Sequence, residues 1–142
     1  MLKEFLFGGT NGSSTLGNVG EATLRVFAGL AMAFGHGINK VPPQEGFIGA
    51  VTGLGFPQPQ LFAWAAGLSE FAGGILLALG LATRFSALMI LGTMVVAAGV
   101  VHAADPFKDK EMALLYLAIS FFFLFRGSGD ISIDALVRSG KR

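Results

Sequence analysis

Cysteine is absent from the 142-residue chain. This excludes disulfides, thiolate catalysis, iron–sulfur clusters and cysteine-ligated zinc. Any redox chemistry must therefore use a bound cofactor or a partner protein. Charged residues are also scarce, at 13% of the chain against about 25% in an average soluble domain. Because the formal net charge is only +1, the composition does not indicate a nucleic-acid-binding protein.

Apolar residues, in contrast, make up 53% of the chain, and it contains 21 glycines. Glycine without a collagen-like period suits transmembrane helices, because small residues let helix backbones pack closely. A membrane span needs about 20 apolar residues. Four apolar segments are of this type, over residues 19–38, 61–81, 85–101 and 112–125. The sequence therefore predicts an all-α fold, an integral membrane four-helix bundle in contact with the lipid bilayer.

The remaining residues divide into two tails and one long connection. Residues 1–18 predict a polar N-terminal tail, residues 19–136 the membrane domain and residues 137–142 a basic C-terminal tail. Residues 39–60 contain four prolines, which lack an amide donor and bias their predecessors out of helix, so we expect a structured loop or re-entrant segment there. The later spans are joined by short links, which makes neighbouring spans antiparallel.

The distribution of basic residues predicts the orientation in the membrane, because cytoplasmic loops carry an excess of Lys and Arg. With four spans, both termini share one side of the membrane. That side carries Lys3, Arg84, Arg126, Arg138, Lys141 and Arg142, and the opposite side carries Lys40, Lys108 and Lys110. The asymmetry predicts that both termini are cytoplasmic.

Ionisable residues within the apolar segments are the first candidates for function. Arg25, Glu70 and His102 each lie in such a segment, where a charge costs about 2.5–3.5 kcal/mol at mid-depth and normally faces a partner. Arg25 and His36 are eleven positions apart, which at about 100° per residue places them on one stripe of a helix. Lys40 falls near the same stripe.

Glu70 is flanked one turn away on either side by Gly67 and Gly74. Small residues admit another helix backbone, so Glu70 is expected to face protein rather than lipid. We predict an interhelical ion pair between Arg25 and Glu70. His36 and His102 share an outer depth, and we expect both near the outer mouth of the bundle.

Each of these residues also has a purely structural interpretation. Arg25 is close enough to the inner boundary to extend its guanidinium to lipid headgroups. Glu70 serves either in a structural ion pair or in a direct catalytic or ligand-binding role. His36 and His102 either act in function or contact backbone carbonyls and headgroups at the interface. Two histidines and a glutamate also match the ligands of zinc or iron, but the sequence does not show that they converge, and we predict no metal site.

Short motifs follow one another in order along nearly the whole chain, from Gly20 to Leu136. They are Arg25, Phe34-Gly35-His36-Gly37 with Lys40, Gly55-Phe56-Pro57, Glu70 with Gly73-Gly74, Leu79-Gly80-Leu81-Ala82-Thr83-Arg84, and Gly127-Ser128-Gly129-Asp130 with Ser132 and Asp134. Together they resemble the DoxX family of small four-helix membrane proteins. The family usually has a basic residue where this chain has Asp130, so a phosphate or partner contact at that position is in doubt.

The resemblance implies a DoxX-like domain in the bacterial or archaeal cytoplasmic membrane and a link to redox metabolism. Relatives include the membrane subunits of thiosulfate:quinone oxidoreductase, and a component associated with superoxide dismutase and a thiosulfate sulfurtransferase. The first functional hypothesis is thus a quinone-linked oxidoreductase subunit, working with a soluble or membrane redox partner in sulfur or oxidative-stress metabolism. Catalytic roles fall to Glu70, His36 and His102, which carry protons, and ligand binding to Arg25, Lys40 and Glu70.

Two other classes of function remain open. The chain is alternatively a non-catalytic membrane anchor or assembly partner for a soluble enzyme, with its polar stripe fixing helix register. A small-solute transporter is a further alternative, although four spans give little room for alternating access unless the chain forms a homo-oligomer. A quinone-sized cleft between the helices favours the redox hypothesis, and a cleft closed by side chains favours the anchor.

Overall fold

A computed structural model describes residues 14–139, and within that range the backbone forms six α-helices and no β-strand. The all-α prediction is confirmed. The helices are α1 (Thr15–Leu30), α2 (Glu45–Gly53), α3 (Pro59–Leu79), α4 (Thr83–Val96), α5 (Phe107–Arg126) and α6 (Ile133–Ser139). The predicted tail residues 1–13 and 140–142 lie outside the described range.

Two of the helices continue past their α-helical part in a different helical form. After α1 the chain forms a π-helix over Ala31–Gly37 and a 3-10 turn over Ile38–Lys40. After α4 it forms a second π-helix over Ala97–Val101. A π-helix contains a wider turn and is often found at functional sites. Each of the four predicted spans falls on one of these long helical stretches.

The helix ends differ from the predicted spans by a few residues. α1 begins at Thr15, because the Ser14 hydroxyl accepts a hydrogen bond of 3.0 Å from the Gly17 amide, which is the usual N-cap arrangement. α5 begins at Phe107, so its first turn is charged. Two helices, Pro59–Leu79 and Thr83–Val101, are long and apolar enough to cross a membrane.

Helix α1 and its continuation pack against α3 through glycines. A methyl group added at Gly29 would lie 2.5 Å from backbone atoms of Gly74 and Ala78, and one at Gly37 would lie 2.4 Å from the Phe71 nitrogen. Neither position can accommodate a side chain, so the two backbones meet directly and in antiparallel register. The prediction that small residues beside Glu70 admit another helix is confirmed.

The connection between these two helices contains the short helix α2. Its sequence, EGFIGAVTG, lies between the pairs of prolines that predicted a loop, and α2 packs against α3. α3 then begins with Pro59 at its first position, where the fixed φ of proline suits a helix start. The segment is therefore a helix packed on the side of α3.

The core lies between α1, α3, α4 and α5. Its buried apolar residues are Ala28, Met32, Leu77, Ala87, Ile90, Met94, Ala113, Tyr116 and Phe123. Many of the remaining large apolar side chains on the same helices are exposed, among them Phe27, Leu88, Leu115 and Phe125. Large exposed apolar surface is typical of contact with another protein or a membrane.

After α5 the chain turns back across the start of α4. Gly127 and Gly129 take positive φ angles of 81° and 69°, which glycine adopts without strain. Asp134 of α6 then accepts hydrogen bonds of 2.8 and 3.0 Å from the amides of Ala82 and Thr83. Partial burial opposes ionisation of Asp134, but these amide hydrogen bonds and the nearby charge of Arg138 together outweigh it, so the pKa of Asp134 lies below its ordinary value.

Candidate ligand-binding cavity

A cavity of about 490 Å³ lies between α2, α3 and α4. Most of its wall is apolar, and representative lining residues are Phe47, Val51, Phe62, Leu88, Met89 and Val96. Three ionisable side chains also line it: Lys40, Glu70 and His102. A mainly apolar pocket with a few polar groups, in a volume range of about 300–1,000 Å³, is typical of small-molecule sites.

Lys40 and Glu70 form an ion pair at this cavity. The Lys40 ammonium lies 2.8 Å from Oε1 and 2.6 Å from Oε2 of Glu70, so it donates to both carboxylate oxygens. Glu70 is only 3% exposed, whereas the Lys40 side chain is 31% exposed. Lys40 also lies over the Phe47 ring, at 5.5 Å from the ring centroid. Glu70 is thus held inside the protein, and Lys40 is the more accessible of the two charged groups at the cavity.

Close packing brings Lys40 to the middle of α3. A methyl group at Gly67 would lie 2.5 Å from the Lys40 carbonyl oxygen, so only glycine allows the 3-10 turn to approach α3 here. Gly67 is three residues before Glu70, which is nearly one helical turn. The glycine therefore permits the approach, and the lysine side chain spans the remaining distance to the carboxylate.

His102 also lines the cavity and carries its own acidic partner. Its Nδ1 lies 2.7 Å from Oδ2 of Asp105, three residues later. His102 follows directly after the second π-helix, and Lys40 is the last residue of the 3-10 turn that follows the first π-helix. Lys40 and His102 are therefore both positioned by segments in which the regular α-helix is interrupted.

His36 lies elsewhere. It does not line the cavity; it is exposed and packs edge-on against Tyr116 of α5, at 5.5 Å between ring centroids. The common stripe predicted for Arg25, His36 and Lys40 assumed 3.6 residues per turn throughout. Residues Ala31–Gly37 are π-helical, and the wider turn changes the direction of every later side chain. Within residues 14–139 no three His, Asp or Glu side chains form a cluster able to hold a metal ion.

The predicted pair between Arg25 and Glu70 is wrong. Arg25 is buried, and its guanidinium donates to the carbonyl oxygens of Ser128 and Ile131, the second at 2.8 Å. It lies beside Gly80 at the end of α3, ten residues from Glu70, or about 15 Å along the helix axis. Arg25 therefore holds the segment that follows α5, and it does not line the cavity.

Sequence reasoning also missed the acidic partner of His102 and one aromatic residue of the cavity wall. Asp105 pairs with His102 across the turn that follows the second π-helix, and its closeness in sequence was the available signal. Phe47 belongs to α2, which was not predicted as a helix. No local pattern placed its ring beside Lys40, because that contact depends on how α2 packs on α3.

Comparison with known proteins identifies the family of the chain. The DoxX family profile matches residues 20–103, which is more than half of the chain and contains Lys40, Glu70 and His102. This chain belongs to the DoxX family. A protein of Bacillus subtilis (strain 168) named "Putative oxidoreductase CatD" is 32% identical over 125 residues, covering 87% of this chain and 91% of the relative. No solved structure matches the chain.

The cavity of this DoxX protein can bind a molecule that is mainly apolar and carries a hydrogen-bond acceptor. The apolar walls offer burial, Lys40 offers an ammonium donor, and His102 offers an imidazole that either donates or accepts a proton. DoxX proteins are membrane-associated, so hydrophobic ligands of the bilayer are the natural candidates.

Proposed function

We propose that this DoxX protein is a membrane-embedded subunit of a redox system and that the cavity between α2, α3 and α4 binds a quinone. The observation that carries the proposal is an apolar cavity lined by a lysine that is paired with a buried carboxylate. The similarity to a relative whose name includes "oxidoreductase" supports the redox part. The quinone is inferred from the chemistry of the cavity.

Placement in the bilayer is the first step of the proposal. Residues 15–40, α3, α4 and α5 form the four spans of a membrane bundle, with both termini cytoplasmic. The large apolar residues exposed on these helices then contact lipid instead of water, where their burial is favourable. Three arginines, Arg84, Arg126 and Arg138, share one end of the protein, as expected for the cytoplasmic side.

The residues that line the cavity fit a quinone. Its ring is flat and largely apolar, which suits walls built from residues such as Phe47, Phe62 and Met89. Its carbonyl oxygens accept hydrogen bonds, and Lys40 is the ammonium donor among the lining residues. Leu88 and Phe62 line the cavity and are also exposed on the surface of the helices. In the proposed bilayer placement these exposed side chains lie beside lipid, from which a prenylated molecule would come.

The protein's own residues would bind the ring and move protons. Lys40 donates to a carbonyl oxygen while Glu70 holds its charge in place. His102, half-buried and paired with the exposed Asp105, exchanges protons between the cavity and water. A bound quinone would accept two electrons and two protons. Because the chain has no cysteine, it offers no thiol or iron–sulfur cluster of its own as an electron source. We assign the supply of electrons to a redox partner protein.

A cavity-filling variant tests the proposal. No atom lies within 4 Å of a methyl group built at Gly92, a lining residue of the cavity. A side chain at Gly92 therefore begins in open space at the cavity wall, and Gly92→Leu is expected to reduce the volume left for a ligand. Gly20→Leu is the matched control, because its added methyl also meets nothing within 4 Å and Gly20 does not line the cavity. The measurement is quinone retained by the purified protein, determined by mass spectrometry of lipid extracts.

The expected result is quinone bound to the wild type and to Gly20→Leu, and loss of most of it from Gly92→Leu. All three proteins should melt at similar temperatures, which shows that the fold is retained. Equal quinone in the three proteins would show that it is carried by the lipid-facing surface, and the proposal would then be wrong. Absence of quinone from the wild type together with recruitment of a soluble enzyme to the membrane would instead support the anchor.

A further inference from the structure

We propose that a second cavity, at the opposite end of α4 from His102, binds the phosphate group of an anionic phospholipid. This cavity has a volume of about 570 Å³ and lies where α4 begins and α5 ends. We call it the arginine cavity, because Arg84, Arg126 and Arg138 line it. It is separate from the proposed quinone site, since the two cavities share no lining residue.

The three guanidinium groups retain free donors. Arg84 makes one long hydrogen bond of 3.3 Å to the Phe125 carbonyl, and Arg126 contacts Glu21 at 3.0 Å through one nitrogen. Arg138 donates to Ser128 and Gly129. A guanidinium carries five N–H donors in a planar fork that matches phosphate oxygens. Among the partners that residues 14–139 provide, most of the donors on these three side chains are therefore left to an anion.

The carboxylates that line the cavity are already engaged. Both oxygens of Asp134 accept the amides of Ala82 and Thr83. Asp130 accepts a hydrogen bond of 3.0 Å from Asn18. Three arginines and two aspartates line the wall, and Arg126 is also paired with Glu21. The positive groups left to an anion are therefore chiefly Arg84 and Arg138, which would favour an anionic over a neutral headgroup.

Exposed apolar residues adjoin the arginine cavity, which favours a lipid over free phosphate. Phe85 lines the cavity and is 60% exposed, and Phe125, next to Arg126, is 66% exposed. Leu136 on α6 is 70% exposed. A free phosphate would leave these surfaces without a partner. The acyl chains of a phospholipid would lie along them while its phosphate contacts the arginines.

Lipid binding to the full-length protein in neutral detergent tests this site. Native mass spectrometry would compare phosphatidylglycerol with phosphatidylcholine for the wild type, Arg84→Gln and Asp130→Asn. Lys108→Gln is the matched control, because it removes the same charge from the other end of α4 and α5. Each basic residue near an anionic headgroup contributes about fivefold in affinity.

We expect the wild type to prefer phosphatidylglycerol and Arg84→Gln to lose about fivefold of that preference. Asp130→Asn should increase the preference, which a merely structural role for the loop would not produce. Equal losses in Arg84→Gln and Lys108→Gln would overturn the site, and so would a preference that no variant changes. Complete displacement of the lipid by inorganic phosphate would assign the cavity to a free anion and contradict the lipid proposal.

Discussion

Lys40 and Glu70 are thirty positions apart in sequence, yet the lysine ammonium lies 2.6 Å from one carboxylate oxygen of the glutamate and 2.8 Å from the other. This ion pair joins the first long helical stretch to the middle of α3 and lines the apolar cavity. Its two members are unequally buried, at 31% and 3% exposure. That inequality determines how each should respond to substitution.

Lys40→Met should destabilise the protein more than Glu70→Met does. Removing the lysine leaves a buried carboxylate without a counter-charge, which costs about 3–5 kcal/mol in comparable cases. Removing the glutamate leaves an ammonium that is partly exposed and can turn toward water, so the loss should be smaller. The double variant, with both residues replaced by Met, should recover much of the stability. Thermal melts of the four proteins in one detergent measure the cycle.

The coupling in this cycle must be large for the ion pair to be real in solution. If the losses from the two single variants simply add in the double variant, the residues do not interact. A conservative control is Ser69→Ala, next to Glu70 and also lining the cavity, which should change the melting temperature little.

Arg25→Met should release the segment that follows α5. In the wild type the Arg25 guanidinium donates to the carbonyl oxygens of Ser128 and Ile131, and Ser128 is only 3% exposed. The absence of native cysteine allows a single Ser128→Cys probe. We expect this cysteine to react slowly with a maleimide when Arg25 is present. In the Arg25→Met protein the reaction should be at least about tenfold faster, since local opening is then less costly.

The matched probe for this experiment is Leu136→Cys, because Leu136 is already well exposed. Its reaction rate should be the same in both backgrounds. Unchanged protection of the Ser128→Cys probe in the Arg25→Met protein would mean that the segment is held by its other contacts.

Asp134→Ala should lower stability in a pH-dependent way. Asp134 receives two amide hydrogen bonds at the start of α4, and loss of such a helix cap costs about 1 kcal/mol. Because the folded-state pKa of Asp134 is lowered from its ordinary value of 3.8, the ionised group stabilises the fold above that pH. The stabilisation disappears as the pH falls through the lowered folded value.

The wild type and Asp134→Ala should therefore differ in melting temperature at around neutral pH and converge at the acid end of the measurable range. A difference that grows on acidification would have the opposite sign to this linkage and would exclude the charged cap as its cause.

His102→Ala should reduce quinone-linked electron transfer with the cognate redox partner by about 100-fold, as expected when a proton-transferring group is removed. His36→Ala should retain most of that turnover and lose only its contact with Tyr116, worth about 0.5–1.5 kcal/mol of stability. Because each variant removes one histidine side chain, comparing the two separates the role of His102 from a general effect of losing a histidine. Similar turnover defects in both variants would show that His36 also takes part in the reaction, contrary to this account.

The long helices could be predicted because the length of an apolar segment is a local property of the sequence. The close contact at Gly67 and Gly74 could be predicted because small residues in a membrane segment allow another backbone to approach. Sequence reasoning failed on the partner of Arg25. The error has a physical cause: the register of α1 on α3 is fixed by backbone contact at Gly29 and Gly37, which places Arg25 beside Gly80 rather than Glu70.

The candidate site was partly predictable for a similar reason. Lys40, Glu70 and His102 could be selected as ionisable residues in or next to apolar segments, and all three line the cavity. The arrangement of the three side chains could not be predicted. Both Lys40 and His102 follow π-helical segments, which a period of 3.6 residues does not describe. Helix α2 has apolar residues around its circumference and no periodic polar face, so only its packing on α3 identifies it.

Photolabelling with a photoreactive quinone analogue is the most direct measurement of whether this cavity binds quinone. Labelled peptides should map to the cavity walls, at residues such as Met89 on α4 and Phe47 on α2, and excess unlabelled quinone should abolish the labelling. Gly92→Leu should remove it as well. Labelling spread over exposed apolar residues such as Phe121 and Phe125, without competition by quinone, would contradict a quinone site between α2, α3 and α4.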